Sequence, residues 1–244
     1  MFRTSLLLFF GSLCAVSIAW AQSAPRVMKL TLDARGAPPV KDYSIPEFKI
    51  RATQYYSDNG AGVGYSWVDG RQYSIATPKA AEVLHTAAGE VTYVDADGGL
   101  HTLRAGDVLF IAPDKPYTAR DGKNYTHQYV VFPLALPKDS KLAQMQNLRP
   151  SELKATDFES GPLVGTHVYF KGDRGVTVFA WRPAATGSVD SATENEYIAI
   201  TAGSGQIVEG KATTSFSAGD TLLVRKGASY TWSGNRVEAV CVKF

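Results

Sequence analysis

The sequence predicts an all-β protein built from two copies of one module. Short runs rich in Val, Ile, Tyr, Phe and Thr recur along most of the chain, and Gly- and Asp-containing turns separate them. Such runs are typical of antiparallel strands in sandwiches and barrels. Residues 134–159 interrupt this pattern, because Pro137 and Pro150 break weakly spaced apolar residues. One or two short helical turns are expected only in that segment.

The two copies are recognised by matched spacings. In each copy a Trp precedes a Glu by 15 residues, that Glu precedes a Gly by seven, and a later Gly precedes a Tyr by eleven. These residues are Trp67, Glu82, Gly89, Gly106 and Tyr117 in the first copy, and Trp181, Glu196, Gly203, Gly219 and Tyr230 in the second. The spacings indicate an internal repeat, which fixes the architecture before any single motif is interpreted.

The chain opens with a predicted signal peptide. Arg3 precedes an apolar run that ends at Trp20, and Ala19 and Ala21 frame a small-x-small cleavage signal. The run of about 15 residues is too short to span a bilayer, which disfavours the alternative of an uncleaved anchor. We therefore expect cleavage after Ala21, a mature protein that begins at Gln22, a periplasmic or secreted location and no stable membrane anchor.

Charge and cysteine content exclude two classes of protein. The chain has 25 basic and 23 acidic side chains. Loss of Arg3 with the signal peptide leaves 24 against 23, a net charge of +1, so no nucleic-acid partner is expected. Cleavage also removes Cys14 and leaves Cys241 as the only thiol, which excludes an intramolecular disulfide.

Four segments carry a resemblance to a known family. They are EVLHTAAGEVTYVDADGG and LRAGDVLFIAPDKPYT in the first half, and EYIAITAGSGQIVEG and FSAGDTLLVRKGASYTW in the second. With these motifs the chain resembles a two-domain cupin, or bicupin, of the ureidoglycine aminohydrolase and ethanolamine-utilisation type. The resemblance implies two tandem RmlC-like jelly-roll barrels, each open at one end to a ligand-sized cavity.

The repeat and the resemblance together divide the chain into five parts. We expect the N-terminal arm to wrap the first barrel and the linker to be mostly irregular. The parts are the signal peptide at 1–21, the arm at 22–49, the first barrel at 50–133, the linker at 134–159 and the second barrel at 160–244.

The metal-ligand pattern of the family is incomplete in both halves. Metal-binding cupins resemble one another in two motifs. The first has two histidines just before a glutamate that precedes a glycine by seven residues, and the second has a histidine eleven residues after a glycine. The residues at these three histidine positions are Ala76, Pro78 and Tyr117 in the first half, and Asp190, Ala192 and Tyr230 in the second. Because zinc and iron sites need three or four converging donors, usually with imidazoles, no metal cofactor is expected.

One weaker cation site stays open as an alternative. Asp190 and Glu196 are six residues apart, so on one extended strand they would face the same side. Two carboxylates on one face could hold a divalent cation weakly in the second barrel. The same pair could crowd each other, which would raise a carboxyl pKa and create a general acid or base.

The four histidines do not form a cluster by spacing. His85 lies three residues beyond Glu82, which sends it to the opposite face of the strand. His101 is expected on a solvated hairpin, and His127 and His167 as hydrogen-bonded structural residues. The histidines therefore add no metal site to the prediction.

The candidate site residues follow from these considerations. Glu196, Asp190 and Tyr230 are the candidate catalytic residues of the second barrel. Glu82, Tyr117 and Trp232 are the candidate ligand-binding residues, since carboxylates beside aromatic rings suit a polyhydroxylated molecule or an amine.

Three functions are compatible with the sequence. The first is a metal-free bicupin that binds a small polar molecule in an accessory or sensor role. The second is an enzyme, namely a lyase, an isomerase or a ureidoglycine aminohydrolase-like amidohydrolase, which uses the carboxylates of the second barrel. The third is a structural protein that assembles through sheet edges, and formation of a homodimer stays open in every case.

Overall fold

The computed structural model describes residues 26–31, 39–45, 48–75, 78–135, 142–159, 165–172 and 175–244. The predicted signal peptide and its cleavage site lie outside these residues. Within them the regular structure is sixteen β-strands and two short 3-10 helices. No helix in this part of the chain has the length and apolar character needed to cross a bilayer. The prediction of an all-β protein is confirmed.

The strands fall into two eight-stranded sheets. The first sheet contains β2 (Lys41–Ile45), β3 (Phe48–Asp58), β4 (Ala61–Ile75), β5 (Ala81–Val94), β6 (Leu100–Arg104), β7 (Val108–Ile111), β8 (Tyr117–Phe132) and β9 (Met145–Asn147). The second contains β1 (Val27–Lys29), β10 (Thr166–Lys171), β11 (Thr177–Trp181), β12 (Thr186–Val189), β13 (Glu196–Glu209), β14 (Ala212–Ser217), β15 (Thr221–Val224) and β16 (Tyr230–Lys243).

The two sheets have corresponding strand orders. The first runs β2-β3-β4-β8-β5-β7-β9, with β6 paired to β5. The second runs β1-β15-β13-β16-β11-β10, with β14 paired to β13 and β12 to β16. In both, a long central strand pairs with the last long strand of the barrel and with one short strand. These strands are β5, β8 and β7 in the first sheet, and β13, β16 and β15 in the second. This arrangement is that of two tandem jelly-roll barrels.

Alternation along the central strands creates three apolar cores. On β13, Ile198 and Ile200 face the inside of the second barrel, whereas Tyr197 and Ala199 face the first barrel. The corresponding strand β5 points Leu84 into the first barrel. Successive side chains of a strand point to opposite faces, so each barrel has its own interior and the two share a third core between them. The barrels therefore pack face to face.

Polar contacts cross the shared core. Tyr197 donates a hydrogen bond of 3.0 Å from its hydroxyl to the main-chain carbonyl of Gln128. The ring of His85 is 2.8 Å from the hydroxyl of Thr221 through Nδ1, in a fully buried position. The expectation that His85 turns away from Glu82 is thus confirmed, and its place is the interface between the barrels.

The N-terminal arm and the linker each add a strand to one of the barrels. Strand β1 pairs with β15 of the second barrel, with Met28 opposite Leu223, whereas β9 from the linker pairs with β7 of the first barrel. The expectation that the arm wraps the first barrel is correct only for β2, which pairs with β3. For β1 it is wrong, because the buried side chains of this strand complete the second barrel and the shared core.

The linker has the two helical turns that the sequence predicts. The 3-10 helices are Pro150–Glu152 and Ala155–Asp157. Both are short because a following extended residue ends each of them. The strand β9 makes the linker less irregular than expected.

Candidate functional site

A cavity of about 110 Å³ lies inside the second barrel. Its apolar residues come from β11, β12, β13, β16 and the loop that precedes β13, and its polar groups come from β13, β16 and the same loop. The polar lining residues are Ser191, Thr193, Glu196, Tyr230, Cys241 and Lys243. The cavity therefore includes Glu196, Tyr230 and Trp232 of the sequence-predicted site.

Glu196 is paired with a cation at the cavity. Lys243 Nζ lies 3.3 Å from Glu196 Oε1, and both side chains are largely shielded from solvent. The hydroxyl of Tyr230 is 3.5 Å from Glu196 Oε2, at the long limit of a hydrogen bond. Burial, followed by the nearby Glu196 carboxylate, raises the pKa of Tyr230, so the phenol remains a neutral donor. The site thus presents an ammonium, a carboxylate and a hydroxyl side by side.

Aromatic rings also line the cavity. Trp181 and Trp232 meet edge to face, with ring centroids 5.6 Å apart, and Tyr230 lies 6.4 Å from Trp232. Lys243 Nζ also lies 5.7 Å from the ring centroid of Phe179. Trp181 is buried in the core of the second barrel, and it also lines the cavity. Rings of this size bury a large apolar area of any planar ligand.

Cys241 contributes a protonated thiol to the lining of the cavity. It is fully enclosed and unpaired. Burial and then the Glu196 carboxylate raise the pKa of the thiol well above its usual value, although Lys243 opposes this effect. Because the thiolate is the nucleophilic form, Cys241 is poorly suited to attack a substrate.

Asp190 does not join Glu196. The strand β12 ends at Val189 and β13 begins at Glu196, so the two carboxylates are not on one strand. Between them the loop is fastened by two main-chain hydrogen bonds of Ala192, to Ala228 at 2.8 Å and from Gly227 at 2.7 Å. Asp190 is exposed and does not line the cavity. The expectation of a paired carboxylate site is wrong.

The first barrel repeats the glutamate–tyrosine contact without the cation. Tyr117 donates a hydrogen bond of 3.2 Å to Glu82 Oε2. Burial raises the pKa of Glu82 to about 7, although the Tyr117 hydrogen bond lowers it. In the ladder between β5 and β8 the residue opposite Glu82 is Val131, whereas the residue opposite Glu196 is Lys243. The two glutamates therefore have different electrostatic surroundings.

Phenols surround Glu82. Tyr93 lies 5.9 Å from Tyr117 and 6.5 Å from Tyr125, measured between ring centroids. Burial raises the pKa of Tyr73, Tyr93 and Tyr125, so these phenols stay neutral donors. The interior of the first barrel thus contains a packed cluster of phenols around a carboxyl whose pKa is about 7.

His127 is a buried residue beside the aromatic cluster of the first barrel. It is 6% exposed inside the first barrel, stacked on Tyr125 at 4.8 Å, and burial lowers its pKa to about 3. Its Nδ1 atom is buried and makes no hydrogen bond in the described part of the chain. The expectation of a hydrogen-bonded structural histidine is therefore wrong at Nδ1. Alternation in YTHQY could have indicated that Tyr125, His127 and Tyr129 share one face.

The other two histidines are structural. His167 Nδ1 lies 3.0 Å from the main-chain carbonyl of Asp157, as expected for a hydrogen-bonded residue. His101 Nε2 lies 3.3 Å from Asp95 Oδ2 and is more shielded than a solvated hairpin residue. Neither lines the second-barrel cavity.

Comparison with solved structures identifies the fold. A DUF861-family protein of unknown function from Pseudomonas syringae pv. tomato has a TM-score of 0.68 and 16% identity, over 91% of this chain and 100% of that one. A Cupin 2 conserved barrel domain protein from Leptotrichia buccalis has a TM-score of 0.59 and 9% identity, over 87% and 99%. The fold is that of the cupins. The DUF861 protein Ylba from E. coli is also similar, with a TM-score of 0.57 and 13% identity, over 89% and 90%.

Comparison of the sequence, unlike comparison of the structure, finds no matching protein-family model and no matching curated protein. The similarity to cupins therefore concerns the fold alone.

The residues at the cupin metal positions do not fit a transition metal. Ala192 and Tyr230 line the cavity with Glu196, so these three positions converge, but they supply one carboxylate and one phenol. In the first barrel, Pro78 and Tyr117 occupy two of the three histidine positions that accompany Glu82. The third position is Ala76, which lies outside the described residues. Among the residues that the structure describes, no three His, Cys, Asp or Glu side chains form a group that could hold a metal ion. Transition metals need more converging nitrogen or sulfur donors than this.

Proposed function

We propose that the protein is an exported, metal-free bicupin that binds a small polar organic molecule in the second barrel, in an accessory or sensor role. The observation that carries the proposal is the Lys243–Glu196 ion pair at the cavity, where metal-binding cupins place their ligands. An ammonium beside a carboxylate offers a ligand donors and an acceptor at once. The cavity thus has a recognition surface that needs no metal.

The chemistry of the lining favours a planar amide or ureido group. A carbonyl oxygen of the ligand would accept from Lys243 or Tyr230, and its N–H groups would donate to Glu196. The body of the ligand would pack against Trp181 and Trp232, which lie at the same cavity. Pockets that combine apolar walls with a few converging polar groups are the usual form of small-molecule sites.

Binding is tested on the purified protein with propionamide, N-methylurea, propylamine and propionate, followed by tryptophan fluorescence. We expect the amide and the urea to bind more tightly than the amine or the acid. Glu196→Gln should weaken that binding by about tenfold or more, since a charge-assisted hydrogen bond contributes roughly 1.5 to 3 kcal/mol. Glu82→Gln is the matched control in the other barrel. Equal loss from both variants would contradict assignment of the site to the second barrel.

Elemental analysis tests the metal-free state separately. We expect less than stoichiometric transition metal in protein purified without chelators. A stoichiometric metal that is lost together with amide binding would overturn the proposal. N-terminal sequencing of exported protein tests the location, with Gln22 as the expected first residue.

A second candidate function is proton-transfer catalysis, and the pKa of Glu82 favours it. A carboxyl with a pKa of about 7 can take and return a proton at neutral pH, and Tyr117 lies within hydrogen-bond reach to orient it. This candidate differs from the enzyme expected from the sequence, because it uses the first barrel. It predicts turnover that Glu82→Gln abolishes and Glu196→Gln spares.

A further inference from the structure

A groove of about 570 Å³ lies between the two barrels. Its first-barrel side comes from the hairpin between β3 and β4 and from the end of β8. Its second-barrel side comes from the loop before β13 and from residues that follow β15 and β16. The volume falls in the range of about 300 to 1,000 Å³ that small-molecule sites occupy. We call it the seam groove.

Asn195 holds the two sides of the seam groove together. Its side-chain Nδ2 donates to the Tyr56 hydroxyl at 3.1 Å, and its Oδ1 accepts from the main-chain N–H of Lys226 at 3.1 Å. Its main chain also exchanges two hydrogen bonds with Phe244, at 3.1 and 3.0 Å. Every polar group of Asn195 is engaged, so the groove is pre-formed and a ligand need not order it.

Three aromatic residues, Tyr56, Phe132 and Phe244, line the seam groove, and two of them interact with each other. Tyr56 and Phe244 meet edge to face, with centroids 5.7 Å apart and an interplanar angle of 71°. Both are only partly buried, so part of each ring is accessible. The face of an aromatic ring carries negative charge density and attracts cations.

Two carboxylates line the seam groove, one from each barrel. Asp58 belongs to the first barrel and Glu194 to the second, and Lys226 is the one ammonium among the described lining residues. The Tyr56 hydroxyl is 3.5 Å from Asp58 Oδ2. Burial and then the Asp58 carboxylate raise the pKa of Tyr56, although Asn195 and the Arg225 guanidinium oppose this effect, so the phenol stays neutral. The lining residues themselves carry two carboxylates and one ammonium. The lining therefore complements a positive charge.

We propose that the seam groove binds a small organic amine with an aromatic or apolar substituent. The ammonium would lie between Asp58 and Glu194, and the substituent would pack against Tyr56 and Phe244. This site is separate from the second-barrel cavity and does not depend on the function proposed for it. The two share Thr193 in their linings, so the experiment must distinguish them.

The test is an NMR titration with benzylamine, and with benzyl alcohol and benzoate as neutral and anionic analogues of the same size. We expect benzylamine to bind best and to shift the Asn195 side-chain amide and the Phe244 main-chain amide. Binding should weaken as salt increases from about 20 to 200 mM, because exposed charges are screened. The Trp181 and Trp232 indole signals report the second-barrel cavity and should not move.

The variants are Asp58→Asn, Glu194→Gln and their combination. We expect each single change to weaken benzylamine binding by about two- to fivefold, and the pair by about tenfold, because partly exposed charge pairs contribute roughly 0.2 to 1 kcal/mol each. Asp69→Asn, an exposed acid on β4 that does not line the groove, is the matched control. Circular dichroism checks folding, and the salt titration on unaltered protein supplies the test if the double variant does not fold.

Three results would overturn the proposal. One is benzyl alcohol binding as tightly as benzylamine, and another is a preference for benzylamine that survives the double variant. The third is benzylamine shifting the indole signals and not the Asn195 amide, which would place the amine in the second-barrel cavity.

Discussion

The Tyr117 hydroxyl donates a hydrogen bond of 3.2 Å to the Glu82 carboxylate inside the first barrel. The contact stabilises the ionised carboxylate, but burial opposes it more strongly and leaves the pKa of Glu82 at about 7. In the second barrel Lys243 compensates the corresponding charge. One architecture thus holds a titrating carboxyl and an ion pair at matching positions.

The first prediction concerns the pH dependence of stability. The folded pKa of Glu82 exceeds its usual value of 4.5, so between about pH 4.5 and 7 the folded state binds a proton that the unfolded state has lost. The free energy of unfolding should therefore fall as pH rises through this window, by up to roughly 3 kcal/mol from this group. Glu82→Gln should remove the decline and be more stable than wild type at pH 8. Urea denaturation at pH 5 and pH 8 measures both effects.

Glu90→Gln is the control for that experiment. Glu90 lies on the same strand, but its side chain is 52% exposed and pairs with Arg104 on the surface. We expect this variant to keep the pH dependence of the wild type. A Glu82→Gln protein with an unchanged decline would show that other groups set it.

The second prediction concerns the ion pair of the second barrel. Lys243→Met should leave the Glu196 carboxylate shielded without a cationic partner, at a cost of about 1 to 3 kcal/mol in unfolding free energy. Glu196→Gln in the Lys243→Met background should recover part of this loss, because the unpaired charge is then gone. A double-mutant cycle by urea denaturation measures the coupling. Additive changes would mean that the 3.3 Å contact contributes nothing to stability.

The sequence was sufficient to predict the barrels and to select the two glutamates and the two tyrosines as matched candidates, but not the contacts that those glutamates make. Alternating apolar residues and turn glycines depend on local spacing, which sequence displays directly. Lys243 faces Glu196 only because of the pairing of β13 with β16, which shifts at irregularities between Ile200 and Ser204. Such a shift moves side chains to a different face and is not visible in spacing.

The expectation for Asp190 is wrong in a different way, because the structure does not contain the expected pairing with Glu196. A six-residue spacing places two side chains on one face only if the strand is continuous, and here the chain leaves β12 after Val189. The main-chain hydrogen bonds that bend it involve Ala192, Gly227 and Ala228, and two of these lie far along the sequence. Long-range contacts of this kind decide where a loop ends, and a single sequence does not contain them.

The third prediction tests whether pairing of strand β1 with the second barrel stabilises the folded core. Met28 is 6% exposed and belongs to the core shared by the barrels. Met28→Ala should reduce the unfolding free energy by about 2 to 5 kcal/mol, the usual cost of such a cavity. Lys29→Ala, at the next position, removes only a partly exposed ion pair with Asp220 and should cost less than about 1 kcal/mol. Equal, small effects would show that β1 does not contribute to the folded core.

The last prediction concerns the wall of the second-barrel cavity. A methyl group at Gly187 would collide with the six-membered ring of Trp232, which packs directly over that glycine on the adjacent strand. Gly187→Ala should therefore displace the indole, at a cost of about 1 to 3 kcal/mol for overpacking, and should change the tryptophan emission and weaken propionamide binding. Gly210→Ala is the control for loss of a glycine, since open space surrounds a methyl group there, although its φ of 59° adds some strain. It should lower stability without altering ligand binding. If Gly187→Ala bound propionamide as tightly as wild type, Trp232 would not be part of the ligand site.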